Sequence, residues 1–104
     1  MRFRILGPLE VEDDDGRLVT IGGPQLRGLL GVFLLHPNRV VSTERLIEHV
    51  WGADPPDSAR GLLQGRIAHL RRAIKQPGRQ PLLTKGAGYQ LEVRQGERDL
   101  DTFE

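Results

Sequence analysis

Apolar and polar positions alternate at the start of the chain and then give way to a helical period. Phe3 and Ile5 stand between polar neighbours over residues 2–6, the period of two that a half-buried strand requires. Gly7-Pro8 interrupts the pattern, residues 9–11 resume it, and after the acidic turn Asp13-Asp14-Asp15-Gly16 a third strand is expected over residues 18–21. The acidic run lacks the alternating ligands and distal Glu of a calcium loop, so a solvated hairpin turn is expected there. From Pro24, Leu26, Leu29, Leu30, Phe33 and Leu34 recur at spacings of three and four, which predicts a helix ending near His36-Pro37-Asn38. Val40-Val41 can pair as a short strand. Ser42 or Thr43 can then cap a helix with Leu46, Ile47, Val50 and Trp51 on one face, ended by Gly52.

Pro55 and Pro56 exclude a helix through residues 53–57, and Ser58 can cap the next one. Between residues 59 and 75, Leu63, Ile67, Leu70 and Ile74 fall within one narrow stripe at 100° per residue. The opposite face carries Gly61, Gly65, Ala68, His69 and Arg72, with Gln64 and Arg71 on one flank and Arg66 on the other. Pro77-Gly78 breaks this helix. Residues 82–84 and 89–93 then read as a hairpin about Lys85-Gly86-Ala87-Gly88. The expected architecture is α+β: an N-terminal antiparallel β-sheet, three helices and a C-terminal β-hairpin wing, which together make a winged helix-turn-helix.

Charge sharpens this picture where composition does not. The 104 residues carry a net charge of only +1, which favours no partner by itself. Residues 1–59 hold six Arg against nine acids, a net of −3; residues 60–94 hold six Arg and two Lys against Glu92, a net of +7; residues 95–104 return to −3. A basic third flanked by acidic segments is the footprint of a phosphate-facing surface. The absence of cysteine excludes disulfides, thiolate metal sites and cysteine nucleophiles, and fits a reducing compartment. No apolar run approaches the roughly 20 residues of a membrane span, so a cytoplasmic protein at the nucleoid is expected, with no membrane partner.

A helix about 10–12 Å across fits the major groove of B-DNA, about 12 Å wide, whereas the narrow major groove of A-form RNA excludes it. Double-stranded DNA is therefore the expected partner. Gln64 can pair in one plane with adenine, His69 and Arg72 can donate to guanine, and Gly65, like Gly61, admits close approach of the backbone to base edges. Arg60, Arg66, Arg71 and Lys85 are candidates for phosphates, together with the indole N–H of Trp51. Gly86 and Gly88 are expected to let a tight turn project Lys85 beyond the sheet. Enzyme signatures are thin: His36, His49 and His69 are far apart in sequence, no Ser lies in a G-x-S-x-G elbow, and Gly86-Ala87-Gly88 is too short for a phosphate loop. Neither a catalytic residue nor a cofactor or metal is expected. The open alternative is a winged helix that binds protein and not DNA, separable by the salt dependence of duplex binding.

Residues 4–11 (Arg-Ile-Leu-Gly-Pro-Leu-Glu-Val), Gly22-Gly23-Pro24-Gln25-Leu26-Arg27, Asn38-Arg39-Val40-Val41-Ser42, Leu46-Ile47, Val50-Trp51-Gly52, Pro55-Pro56, Leu70-Arg71-Arg72-Ala73-Ile74 and Gly88-Tyr89-Gln90-Leu91 resemble the N-terminal domain of Streptomyces antibiotic regulatory proteins over nearly the whole chain. The resemblance implies an OmpR/PhoB-type winged helix over residues 1–94, with a recognition helix over 58–75 and a wing over 82–93. It further implies an actinobacterial activator of secondary-metabolite genes that binds direct repeats beside promoters. Because no apolar stripe on the core is left over for an obligate dimer, the domain is expected to be monomeric when free and to lie side by side on DNA. A loop over 52–57, with Asp54 and Asp57, would face RNA polymerase or its sigma factor. Leu100-Asp101 and Phe103-Glu104 look like the first turn of a helical bacterial activation domain, making residues 95–104 a linker or its start. Gly61, Gly65 and Ala68 depart from the pattern, since larger side chains are common there in related winged helices.

Overall fold

The computed structural model describes residues 1–5 and 9–98; the Gly7-Pro8 break and the apolar residues Leu100 and Phe103 lie outside them. Three short strands come first: β1 (Arg2–Arg4), β2 (Glu10–Glu12) and β3 (Leu18–Val19). They form an antiparallel sheet in which Phe3 faces Val11 and Val11 faces Val19. The turn between β2 and β3 is built by its own acid, because an Asp13 carboxylate oxygen accepts the N–H groups of Asp15 and Arg17, each at 2.9 Å. The third strand ends two residues earlier than the alternation predicts, and Ile21 enters the core from the loop that follows.

Helix α1 (Gly23–Leu35) starts with a proline in its first turn and buries Leu29, Leu30, Phe33 and Leu34. After β4 (Val40–Ser42), helix α2 (Thr43–Trp51) is capped by Ser42, whose hydroxyl accepts the N–H of Arg45 at 3.2 Å. Helix α3 (Ala59–Ile74) buries the whole predicted stripe, Leu63, Ile67, Leu70 and Ile74, with Ala59. Each of these large side chains contributes roughly 1.5–3 kcal/mol by leaving water. Ser58 does occupy the cap position of α3, but its side chain makes no capping bond; the first turn is closed by the Ala59 N–H donating to Pro56 O at 3.0 Å. Seating the proline turn tightly against the helix takes the place of the expected hydroxyl cap.

The C-terminal hairpin, β5 (Leu82–Lys85) and β6 (Gly88–Leu91), is not a free pair. Strand β4 adds to it in the order β4-β6-β5, with Val41 opposite Tyr89. Asn38, in the left-handed region at φ 61°, closes this connection: its side chain exchanges two hydrogen bonds of 2.9 Å with the backbone of Val93. Beyond Val93 the chain still belongs to the body. Phe3 N–H donates to Glu97 O at 2.6 Å, Arg79 and Glu97 form a two-pronged ion pair, and Arg98 Nη1 donates to Leu34 O at 2.7 Å. No helix among the described residues is long and apolar enough to cross a membrane.

Candidate nucleic-acid interface

Because the apolar stripe of α3 points inward, its remaining surface is left to polar and small side chains and to Leu62. Gln64, Gly65, His69 and Arg72 are exposed, as is Gly61. Gly65 and Arg72 lie near the middle of the outer face, whereas Gln64 and His69 sit on its two edges, about 140° apart. His69 borders a shallow recess shared with Arg66 and the first turn of α1, Gly22 to Leu26. A Cβ built on Gly61 or Gly65 would meet nothing within 4 Å. Nothing inside the protein therefore calls for glycine at either position, although each costs about 1 kcal/mol of helix propensity relative to Ala.

The basic residues flanking this face are placed differently from one another. Arg60 is paired on the surface with Glu44 of α2, Nη2 to Oε1 at 2.8 Å; the Glu44 backbone N–H first, and this ion pair second, lower the Glu44 carboxyl from its ordinary pKa. Arg66 lies half-buried over the Trp51 ring, 4.8 Å from its centroid, and its Nη1 is buried without a hydrogen-bond partner among the described residues. Trp51 itself packs against the core. Arg71 departs from the expectation of a free phosphate ligand: its Nε donates to Leu82 O at 3.0 Å, its Nη2 donates to Thr84 Oγ1, and its guanidinium lies 5.8 Å from the Tyr89 ring centroid. The wing has claimed donors that a helical wheel shows as open.

Lys85 is exposed at the end of β5, next to the two-residue turn. Gly86 has φ 55°, as a tight turn demands. Gly88 does not take that conformation; a Cβ there would stand 2.3 Å from Val41 O, so its role is close approach of β6 to β4 and not turn geometry. The turn is also tied down, since Ala87 O accepts the Thr43 N–H at 3.1 Å and the Thr43 hydroxyl at 2.9 Å. Lys85 thus sits on a turn anchored to the start of α2, not on one that projects freely.

Between α2 and α3, residues 52–57 are all exposed, including Asp54 and Asp57. Gly52, at φ 72°, ends α2 while its N–H donates to Glu48 O at 2.7 Å. His36 and His49, far apart in sequence, line one recess between α1 and α2 with Arg45 and Glu48. Among the described residues no three His, Cys, Asp or Glu groups are arranged to hold a metal ion. One surface residue escaped the sequence reading: Leu62, on the α1 side of the outer face of α3, is 44% exposed. Its place off the apolar stripe was the available signal.

Comparison with known proteins agrees with this geometry. Residues 19–91 match the family described as transcriptional regulatory protein, C terminal. The transcriptional regulatory protein MoaR1 of Mycobacterium tuberculosis is 34% identical over 99% of the chain and 34% of its own length. Regulatory protein AfsR of Streptomyces coelicolor is 34% identical over 96% of the chain and 10% of its own length. The chain thus spans about a third or less of these relatives. Among solved structures, Mycobacterium tuberculosis EmbR in complex with a low affinity phosphopeptide superposes with a TM-score of 0.86 at 30% identity, over 96% of the chain and 27% of EmbR. The DNA-binding domain of Bacillus subtilis CssR gives 0.65 at 26% identity, over 79% of the chain and 89% of that domain.

Proposed function

The chain belongs to the transcriptional regulators with an OmpR/PhoB-type winged helix, and among them to the Streptomyces antibiotic regulatory proteins; from that premise we propose that it binds specific duplex DNA with the outer face of α3 in the major groove. The observation that carries this reading is the division of α3 into a fully buried apolar stripe and an exposed face of small and donor-bearing residues. In this reading Gln64 pairs with adenine, His69 and Arg72 donate to guanine, and Gly65 brings the helix backbone near the base edges. Leu62 adds an apolar contact suited to a thymine methyl group. Arg60, exchanging Glu44 for phosphate, joins Arg66, Lys85 and the Trp51 indole N–H along the DNA backbone.

Further from the helix, the exposed acidic loop carrying Asp54 and Asp57 suits a basic partner and repels phosphate. We assign it to RNA polymerase or its sigma factor, in an activator of secondary-metabolite genes that is monomeric when free and lies side by side on direct repeats. The exposed large apolar side chains among the described residues, Leu18, Leu35, Val40 and Leu62, come from four different elements, which supports the monomeric reading.

Footprinting the domain on promoter DNA of its own genome, followed by titration of the protected site, tests the assignment. His69→Ala should relax preference at one or two base pairs by about 1–3 kcal/mol, whereas Arg66→Ala should weaken binding to all sequences alike. Equal losses on cognate and random DNA for both substitutions would overturn these roles. Duplex binding that barely weakens with added salt would turn the reading toward a protein-binding module.

A further inference from the structure

We propose that Arg71 is a positioning residue, a brace that fixes the wing against α3 and so sets where Lys85 meets the DNA backbone; this rests on the DNA-binding reading above. The brace is a fork across two levels of one strand. Nε donates to the carbonyl of Leu82 at 3.0 Å and Nη2 donates to the hydroxyl of Thr84, two residues further along β5. The Tyr89 ring on the neighbouring strand β6 faces the guanidinium at 5.8 Å. A second connection runs beside it: Gln80 Nε2 donates to the Arg71 carbonyl at 3.3 Å, and Gln80 Oε1 accepts the Leu82 N–H at 3.2 Å. Arg71, Gln80 and Leu82 therefore close a circuit between the end of α3 and the start of the wing.

The position of this circuit gives it a consequence at the tip. Among the described residues β5 is an edge strand of its sheet, with β6 on one side and no strand on the other. Arg71 holds that edge up to Thr84, the residue before Lys85. On the other side of the turn, Thr43 of α2 holds the Ala87 carbonyl twice. Lys85 and Gly86 are thus suspended between an anchor on each helix. A lysine at position 71 would keep the charge but lose the planar fork that reaches both acceptors while lying against the ring. That difference separates a brace from a phosphate contact, for which a point charge suffices.

The test uses the 104-residue chain and a fluorescein-labelled duplex of mixed sequence, titrated at several salt concentrations for wild type, R71K, K85A and R71K/K85A. The brace predicts that K85A lowers the slope of log affinity against log salt by about 0.9, one phosphate contact. R71K should lower it by the same amount despite keeping its charge, and the double variant no further. Wild-type slope in R71K would overturn the proposal, as would a doubled loss in the double variant, which would mark two independent phosphate contacts. Amide hydrogen exchange reads the brace without DNA: in R71K the Leu83 and Gln90 amides, which pair β5 with β6, should exchange several-fold faster, while those of Ile67 and Leu70 keep wild-type rates. Unchanged wing exchange would overturn the proposal. No duplex binding by the wild-type chain would overturn the DNA-binding reading itself.

Discussion

Two arginines five positions apart on α3 meet very different surroundings. On the wing side, Arg71 finds a strand carbonyl and a hydroxyl and spends its donors on them. On the side of α2, Arg66 finds the face of Trp51, which attracts the cation but accepts no hydrogen bond in the ring plane, and one Nη1 stays buried and unpaired. Residue type and helical period are the same in both cases. What differs is the neighbouring element: an edge strand offers acceptors in a row, and an aromatic side chain offers a π-face. One flank is thereby tied to the wing, while the other retains a cation with unsatisfied bonding capacity beside the proposed groove-facing surface.

Both flanks stand on the same apolar platform, so the largest expected effect comes from removing it. Leu70 is fully buried between them, and Leu70→Ala should destabilise the fold by about 2–5 kcal/mol. Urea denaturation followed by far-UV circular dichroism checks this. A loss below about 1 kcal/mol would mean that the two flanks do not share one core.

Arg79 sharpens the comparison as a third arginine whose two Nη groups are met by an acid and a carbonyl, while its buried Nε has no hydrogen-bond partner among the described residues and only the Glu92 carboxylate at 3.5 Å. It holds both carboxylate oxygens of Glu97, at 2.7 and 3.0 Å, with Glu92 O at 2.9 Å. Burial pushes the Glu97 carboxyl up, but hydrogen bonds from Arg79 and the Arg94 N–H outweigh it and hold the group below its usual 4.5. A depressed folded-state pKa stabilises the fold above the unfolded value and is lost as pH falls through the folded one. Stability should therefore decline as pH falls below about 4.5. Glu97→Gln should cost about 1.5–3 kcal/mol at neutral pH, the range for hydrogen bonds to charged groups, and should flatten that decline. Parallel pH profiles for the two proteins would show that Glu97 does not carry it.

The contrast between the flanks also marks where sequence reasoning stops. The stripe of α3 was legible because four apolar residues at helical spacing admit one burial. The start of α2 was legible because Ser42 and Thr43 stand directly before a clear amphipathic pattern, and the structure chooses Ser42 as the cap. The fate of Arg71 and Arg66 was not, since a helical wheel records direction and nothing about what a distant segment supplies. Gly88 looked like a turn residue from its neighbours, and only the pairing of β4 with β6 shows that Val41 excludes any side chain there. The same non-local pairing explains Asn38, whose partner Val93 lies 55 residues away. His36 and His49 share a recess for the same reason. The placement of the exposed candidates Gly65, His69 and Arg72 on one outer face followed from period alone; their contacts with bases rest on the proposal made above.

The smallest expected change in stability gives the most direct test of that proposal. A side chain at Gly65 would stand in open space within the protein, so any penalty it brings must come from a partner. Stability and duplex affinity should be measured together for Gly65→Ala and Gly65→Glu. Gly65→Ala should stabilise the fold by about 1 kcal/mol through helix propensity while weakening binding to the footprinted site. Gly65→Glu should fold at least as well as wild type and lose at least tenfold in affinity, because its carboxylate would face the negative groove. Undiminished duplex binding by Gly65→Glu would overturn the placement of the outer face of α3 in the major groove and put the DNA on another face of the molecule.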